Sequence, residues 1–343
     1  MGIFIYQEER IMDVTSLIIK DLQCGYQNGK TVFYAPPTTV SAMVQKPTLI
    51  ALIGNNGIGK STLLKSLCGI LPVISGDILV NGKSLRTKSP TERARTISYL
   101  PSYGNKVHYI TVEQYVKFGS YPYSVKKISD QKIVEALEQV DMTAKKKHFL
   151  NQLSDGEFQR ASIARLLIQD TSVMLMDEVT SHLDPVHQLK TMLLLSSLVL
   201  QKQKIVIFST HYTREAIRYA HKMWLLTEHA FMDKMPEQII MDKDLENNDL
   251  IVKATQPVYA ISSCKISVRL IGDGTPYKYT HDALLRYGIE ASGNKSTPLS
   301  VIIHQNQQHK TMWFVKQDTS IIREFHSLEP LIDFLTSYKF PET

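Results

Sequence analysis

Cysteine is scarce in this chain, and long apolar runs are missing. Three cysteines, Cys24, Cys68 and Cys264, stand far apart in 343 residues. That spacing makes neither a disulfide framework nor a metal-ligand set, and it suits a reducing compartment. No apolar run approaches the ~18–20 residues that span a bilayer. The longest candidate, Met192 to Leu200, is too short and carries Ser196 and Ser197. The start, Met1-Gly2-Ile3-Phe4-Ile5-Tyr6, has no basic flank ahead of its apolar residues, which argues against a secretory signal. Tyr6 also breaks the myristoylation pattern. Residues 1–14 read as an N-terminal extension, with Met12 as an alternative initiator. The net charge of +6 is spread out except at Lys145-Lys146-Lys147; such an excess suits an anionic membrane surface or nucleic acid, but the run reads better as a solvated helix end, and no nucleic-acid partner is expected. With 43% hydrophobic and 21% charged residues, the chain reads as globular and long enough for two domains.

What is present is a phosphate-binding pattern. Gly54-Asn55-Asn56-Gly57-Ile58-Gly59-Lys60-Ser61-Thr62 fits G-x-x-x-x-G-K-[ST]. The apolar run Leu49–Ile53 before it reads as a buried strand, and Leu63–Leu67 after it as the start of a helix. Glycines let backbone N–H groups turn inward around a phosphate chain, Lys60 adds a point charge, and the Ser61 hydroxyl is placed to hold Mg²⁺. The following helix aims its positive end at the anion.

The chain before this loop reads as a small antiparallel sheet: a strand at Leu17–Lys20, a hairpin turn at Asn28-Gly29 and a short strand at Thr38–Met43. Tyr26 is a ring able to stack on a purine, although a single Tyr is more often ordinary packing. After the loop, Gly69 caps the helix and Ser75–Lys83 reads as strand plus turn. Residues of about 86–170 are mainly helical, with a strand at Thr96–Leu100 and helices at Pro90–Arg95, Thr111–Phe118 and Asp130–Val140. At Leu153-Ser154-Asp155-Gly156-Glu157 a capping box opens another helix; two readings stand, a well-capped helix and an anion-binding N-terminus. Ser172–Glu178 is an apolar strand ending in two acids, which places them at the ligand edge of a parallel sheet. Asp177 would reach the Mg²⁺ at Ser61, and Glu178 would orient or deprotonate a water. Ser181-His182-Leu183-Asp184-Pro185 is a turn just beyond. Lys204–His211 repeats the strand logic and aims His211 at the same edge.

Several separate motifs in one order give the chain its resemblance. Over residues 15–250 it is similar to the ATP-binding cassette ATPases, the engine subunits of ABC transporters. The resemblance makes Gly54–Thr62 the phosphate loop and Ser154, Gly156 and Glu157 a signature motif acting in trans. It makes Asp177 and Glu178 the Mg²⁺ ligand and catalytic glutamate, Asp184 the D-loop, His211 the switch histidine and Tyr26 the adenine-stacking ring. Two departures stand out. Ser102 occupies the place of a usual Gln that touches Mg²⁺, and Asp155 and Glu157 replace the signature's Gly and Gln. Asp155 is expected to point away from the phosphate. Ile97–Tyr123 is most like importers of iron-siderophore, haem and cobalamin.

The fold implied is α/β: a P-loop NTPase core with a parallel sheet and flanking helices, an antiparallel β subdomain and an inserted helical subdomain at about 86–170. A small C-terminal α+β domain follows at 256–343 after a polar linker, Glu246-Asn247-Asn248-Asp249, with strands near 259–270, 300–304 and 310–316 and helices near 281–287 and 328–338. A dimer-contact or regulatory role suits it. The resemblance further implies ATP and Mg²⁺, a homodimer of ATPase subunits, an integral membrane permease, an external substrate-binding protein and a peripheral place on the cytoplasmic face of the inner membrane. Two other readings are a soluble ABC ATPase acting on nucleic acid or ribosomes and a nucleotide-gated regulatory subunit with little turnover. A single cassette without a long basic arm disfavours the first.

Overall fold

Alternate residues of one short strand divide the protein's core. The computed structural model describes residues 15–28, 31–104, 106–123, 128–242, 266–292, 297, 299–305, 311–317 and 320–338. In it, strand β4 (Leu49–Gly54) is buried along its whole length. Leu49, Ala51 and Ile53 face one apolar cluster, and Ile50 and Leu52 face another. This follows from the two-residue period of a strand covered on both faces.

Ahead of β4 lie β1 (Leu17–Asn28), β2 (Thr31–Tyr34) and β3 (Val40–Val44). They form an antiparallel sheet with β5 (Val73–Val80) and β6 (Lys83–Ser84), in the order β2-β1-β5-β6 with β3 also on β1. Strand β1 is longer than the sequence reading, running on through Asp21 by means of a bulge between Ile19 and Leu22. Helix α1 (Lys60–Leu67) fills the space between the two sheets with Leu63, Leu64 and Leu67.

The main sheet has the order β11-β10-β4-β9-β8-β7. Its members are β7 (Ile97–Leu100), β8 (Val173–Met176), β9 (Ile205–Ser209), β10 (Lys222–Leu226) and β11 (Phe231–Lys234). All its pairings are parallel except that of β11 with β10. Flanking helices are α2 (Pro90–Thr96), α3 (Val112–Lys117), α4 (Asp130–Glu138) and α5 (Asp155–Gln169), then α6 (Pro185–Leu200), α7 (Thr213–Tyr219) and α8 (Pro236–Met241). Helix α5 buries Phe158, Ala161, Ile163, Ala164 and Leu166, so it is enclosed on most sides and joins α3 and α4 to the sheet. Among the described residues no helix is long and apolar enough to cross a membrane.

A third sheet is built from β12 (Ile266–Ile271), β13 (Ile289–Ser292), β14 (Leu299–Gln305), β15 (Thr311–Gln317) and β16 (Ser320–Phe325). Its order is β13-β12-β14-β15-β16. Helices α9 (Gly274–Arg286) and α10 (Leu328–Ser337) cover its core face, the latter through Leu328, Leu331, Ile332 and Leu335. Strands β13 and β16 were not expected, and α9 begins well before residue 281. The expected linker at Glu246–Asp249 lies outside the described residues.

Buried charge joins this unit to the main sheet. Arg286, at the end of α9, is ion-paired with Glu237 of α8, both almost wholly buried. Its Nη1 also donates to Ala220 O at 3.1 Å. Beside it, His221 Nδ1 accepts from the Leu49 N–H at 3.0 Å, so the ring carries its proton on Nε2, which faces Arg286 O at 3.3 Å. Burial first, and then the Arg286 charge, push the His221 pKa down to about 3. Lys222 bonds Glu329 at 2.8 Å and Asp233 at 3.3 Å, and Lys46 pairs with Asp333.

Candidate active site

The phosphate loop joins β4 to α1, at the edge of the sheet where its parallel strands end. Gly59 caps α1 with φ 107°, a left-handed conformation that a side chain resists. A Cβ there would also stand 2.5 Å from Pro36 N, so the loop lies directly on the backbone of Ala35-Pro36. Asn55, Asn56 and Gly57 are exposed at the loop's crest, whereas Ile58 and Ser61 are half-buried. Lys60 is 7% exposed and donates to Gly54 O at 2.7 Å and Asn55 O at 3.0 Å. Burial lowers the Lys60 pKa, while the charges of Glu178 and Asp177 act against that fall. The three groups therefore share one electrostatic neighbourhood. Tyr26 is half exposed on β1, and its hydroxyl meets Thr62 Oγ1 at 3.3 Å.

The two acids follow β8, the strand between β7 and β9. Asp177 is 2% exposed; its N–H is held by Leu100 O at 2.8 Å, and its Oδ1 accepts from Ser209 Oγ at 2.5 Å. Its Oδ2 accepts from Tyr99 Oη at 3.4 Å. Burial and the Asp177 charge push the Tyr99 phenol up, so it stays protonated and able to donate. Glu178 is more open, and its Oε1 lies 3.8 Å from His211 Nδ1. His211 is exposed and tilted against the Tyr212 ring at 4.3 Å.

The signature-like segment opens α5 as a full capping box. Ser154 Oγ accepts from the Glu157 N–H at 3.2 Å, and Glu157 Oε2 accepts from the Ser154 N–H at 2.9 Å. Ser154 and Asp155 are exposed. The Asp155 carboxylate is engaged by Lys106 at 2.7 Å, an ion pair that turns its charge toward the 106 loop and holds it below the usual carboxylate range. A Cβ on Gly156 would stand 2.9 Å from His182 O, so the start of α5 rests on the Ser181–Asp184 turn. Asp184 then caps α6, accepting from the Val186 and His187 N–H groups. Ser102 is half-buried just beyond β7; its neighbour Tyr103 sits edge-on to His182, ring centroids 5.1 Å apart.

The donor set fits magnesium. Ser61 and Asp177 offer hard oxygen ligands, and among the described residues no group of three His, Cys, Asp or Glu forms a closed cage. That matches an ion bound by one carboxylate and a hydroxyl and completed by a substrate's phosphates. Sequence reasoning missed Ser209 and Tyr99, which touch Asp177 from the two flanking strands. Their only signal was a polar residue at or near the end of an apolar strand.

Comparison with known proteins gives the family. The ABC transporter family model matches residues 38–181, and the iron ABC transporter C-terminal domain model matches residues 264–336. The achromobactin transport ATP-binding protein of Dickeya dadantii is 34% identical over 235 residues, covering 66% of this chain and 85% of that protein. A petrobactin import ATP-binding protein of Bacillus anthracis is 34% identical, covering 58% and 76%. An iron(3+)-hydroxamate import ATP-binding protein of Bacillus subtilis is 29% identical, covering 68% and 86%. Among solved structures, a chain of an inward-facing ABC transporter assigned to the metal-chelate type superposes with a TM-score of 0.58 at 26% identity, covering 68% of this chain and 89% of that one. A dimeric ATP-binding cassette bound to ADP and phosphate shares the fold, with a TM-score of 0.59 at 22% identity, covering 64% and 98%. From its phosphate loop to its appended domain, the chain belongs to the ATP-binding subunits of ABC transporters, and it is an ATPase.

Proposed function

We propose that this ATPase energises import of an iron-siderophore type substrate through a separate membrane permease, supplied by an external binding protein. The observation that carries the catalytic half of this reading is the convergence of Lys60, Asp177 and Glu178 at one sheet edge below an open loop crest. The transport half rests on the relatives' printed functions and on the iron ABC transporter C-terminal domain match.

In the proposed mechanism two copies pair head to tail. Backbone N–H groups of Gly57–Thr62 and the Lys60 ammonium hold the β- and γ-phosphates. Tyr26 stacks on the adenine. Ser61 Oγ and the Asp177 carboxylate would hold Mg²⁺, which when bound would supply positive charge to the phosphate oxygens. Glu178 orients the attacking water and accepts its proton, and His211 keeps that water and the γ-phosphate in register. The exposed Ser154 and the half-buried Gly156 of the second copy close the phosphate from the far side, with Asp184 beside the seam. Residues 256–343 serve dimer contact or regulation.

Glu178→Gln tests the reading. This variant should keep ATP binding, lose turnover by at least about 10²-fold and accumulate as an ATP-bound dimer in size-exclusion chromatography. Wild-type turnover in Glu178→Gln would remove Glu178 from the mechanism. Co-purification with a multi-span membrane protein, and uptake of ⁵⁵Fe-labelled chelates that depends on an intact Lys60, test the transport assignment.

A further inference from the structure

Ser209 closes β9 and has no exposed surface. Its single hydroxyl does two things at once. It donates to Asp177 Oδ1 at 2.5 Å and accepts from the Glu178 N–H at 2.9 Å. The second bond is the more telling, because Glu178 sits at φ 50°, the left-handed region. A non-glycine residue there is strained and persists only when its surroundings over-determine it. Here the Glu178 peptide is gripped on both sides, by Ser209 at its N–H and by Ser181 Oγ donating to its carbonyl at 2.8 Å. The Asp177 carboxylate is held likewise, by Ser209 from β9 and Tyr99 from near the end of β7.

We propose that Ser209 is a positioning residue for hydrolysis, its hydroxyl setting the Asp177 carboxylate toward the metal and the Glu178 backbone toward the water together. The proposal rests on the roles given above to Asp177 and Glu178. Outer partners of a metal ligand typically change metal affinity or activity about 10–100-fold when removed.

The test compares Ser209→Ala, Ser209→Cys and Ser209→Thr in the full chain. Two readouts are the Mg²⁺ dependence of turnover and the binding of Mn²⁺, followed by electron paramagnetic resonance with a non-hydrolysable ATP analogue. Ser209→Ala should weaken Mn²⁺ binding and raise the Mg²⁺ midpoint about 10-fold or more, and lower kcat by a similar factor. KM for ATP at saturating Mg²⁺ should stay within about twofold, because the phosphate loop is untouched. Ser209→Cys, of nearly the same shape but a weaker donor, should fall between, and Ser209→Thr should restore both readouts. Wild-type Mn²⁺ binding and kcat in Ser209→Ala overturn the proposal. So does equal loss in Ser209→Ala and Ser209→Thr with a common fall in Tm. If Ser209→Ala does not fold, Ser209→Cys with wild-type metal dependence is enough to overturn it. Asp177→Asn and Glu178→Gln measured alongside separate the two levels. If they keep turnover, the site assignment fails; if they lose it and Ser209→Ala does not, only Ser209 is excluded.

Discussion

Tyr26 presents an exposed ring beside the start of α1 and anchors it through Thr62. Base–aromatic stacking is worth about 1–3 kcal/mol, so Tyr26→Ala should raise KM for ATP roughly 5- to 150-fold with kcat nearly unchanged. Tyr26→Phe keeps the ring and loses only the Thr62 contact, so it should stay within about threefold of wild type. Steady-state kinetics on both variants check this. Candidate residues gathered in one contiguous motif could be picked out from the sequence: the phosphate loop, the Asp177-Glu178 pair and the Ser154 capping box, the last of which the structure forms. Ser209 and Tyr99 were not. They meet Asp177 only because their strands flank β8, and strand order is not spelled out by local pattern.

At the scale of the element, α5 begins with a cap whose acid is tuned. The Ser154 N–H is the main cause, helped by Lys145 at 3.1 Å, and together they hold the Glu157 carboxyl below its usual range. A depressed carboxylate adds stability that is present above its ordinary pKa and is lost as pH falls through the folded value. Glu157→Ala should therefore cost about 1 kcal/mol at pH 7, with the gap from wild type narrowing as pH falls below the ordinary glutamate range. Urea unfolding at pH 7 and pH 3.5 measures both. Elements with strong periodicity or full burial, such as α4, β8 and α10, were legible. Strand β16 was not, because Ile321 and Ile322 are exposed and no alternation marks it. The start of α9 was concealed by Gly272-Asp273-Gly274-Thr275, which reads as a turn, and by Pro276, which a first helical turn tolerates.

Across the whole molecule, the junction between main sheet and C-terminal unit makes stability depend on pH. His221 is fully enclosed by Leu49, Arg286, Tyr287 and the charge of Lys46, and it stays neutral when folded. The unfolded chain takes up a proton near pH 6.5 and the folded one only near pH 3. Stability from this group is complete above about pH 6.5 and falls as pH drops toward 3. Between pH 7 and pH 5 the loss is about 2 kcal/mol. Denaturant titrations of wild type and His221→Gln, which keeps a donor and an acceptor but does not titrate, should differ in slope by that amount. The sequence pointed to an appended α+β unit but gave no sign of this junction, since Glu237, His221 and Arg286 are isolated polar residues until the chain folds.

One apolar side chain from before the junction is built into the far side. Met235 is fully buried, yet it packs with Val268, Leu284 and Trp313 in the hydrophobic centre of the C-terminal unit. The covalent order and the physical seam therefore disagree, since Met235 precedes the polar stretch that begins at Glu246. Anyone transplanting this unit onto a foreign engine must carry helix α8 along, or supply a replacement plug, because a graft cut at the polar stretch would arrive with a hole in its middle.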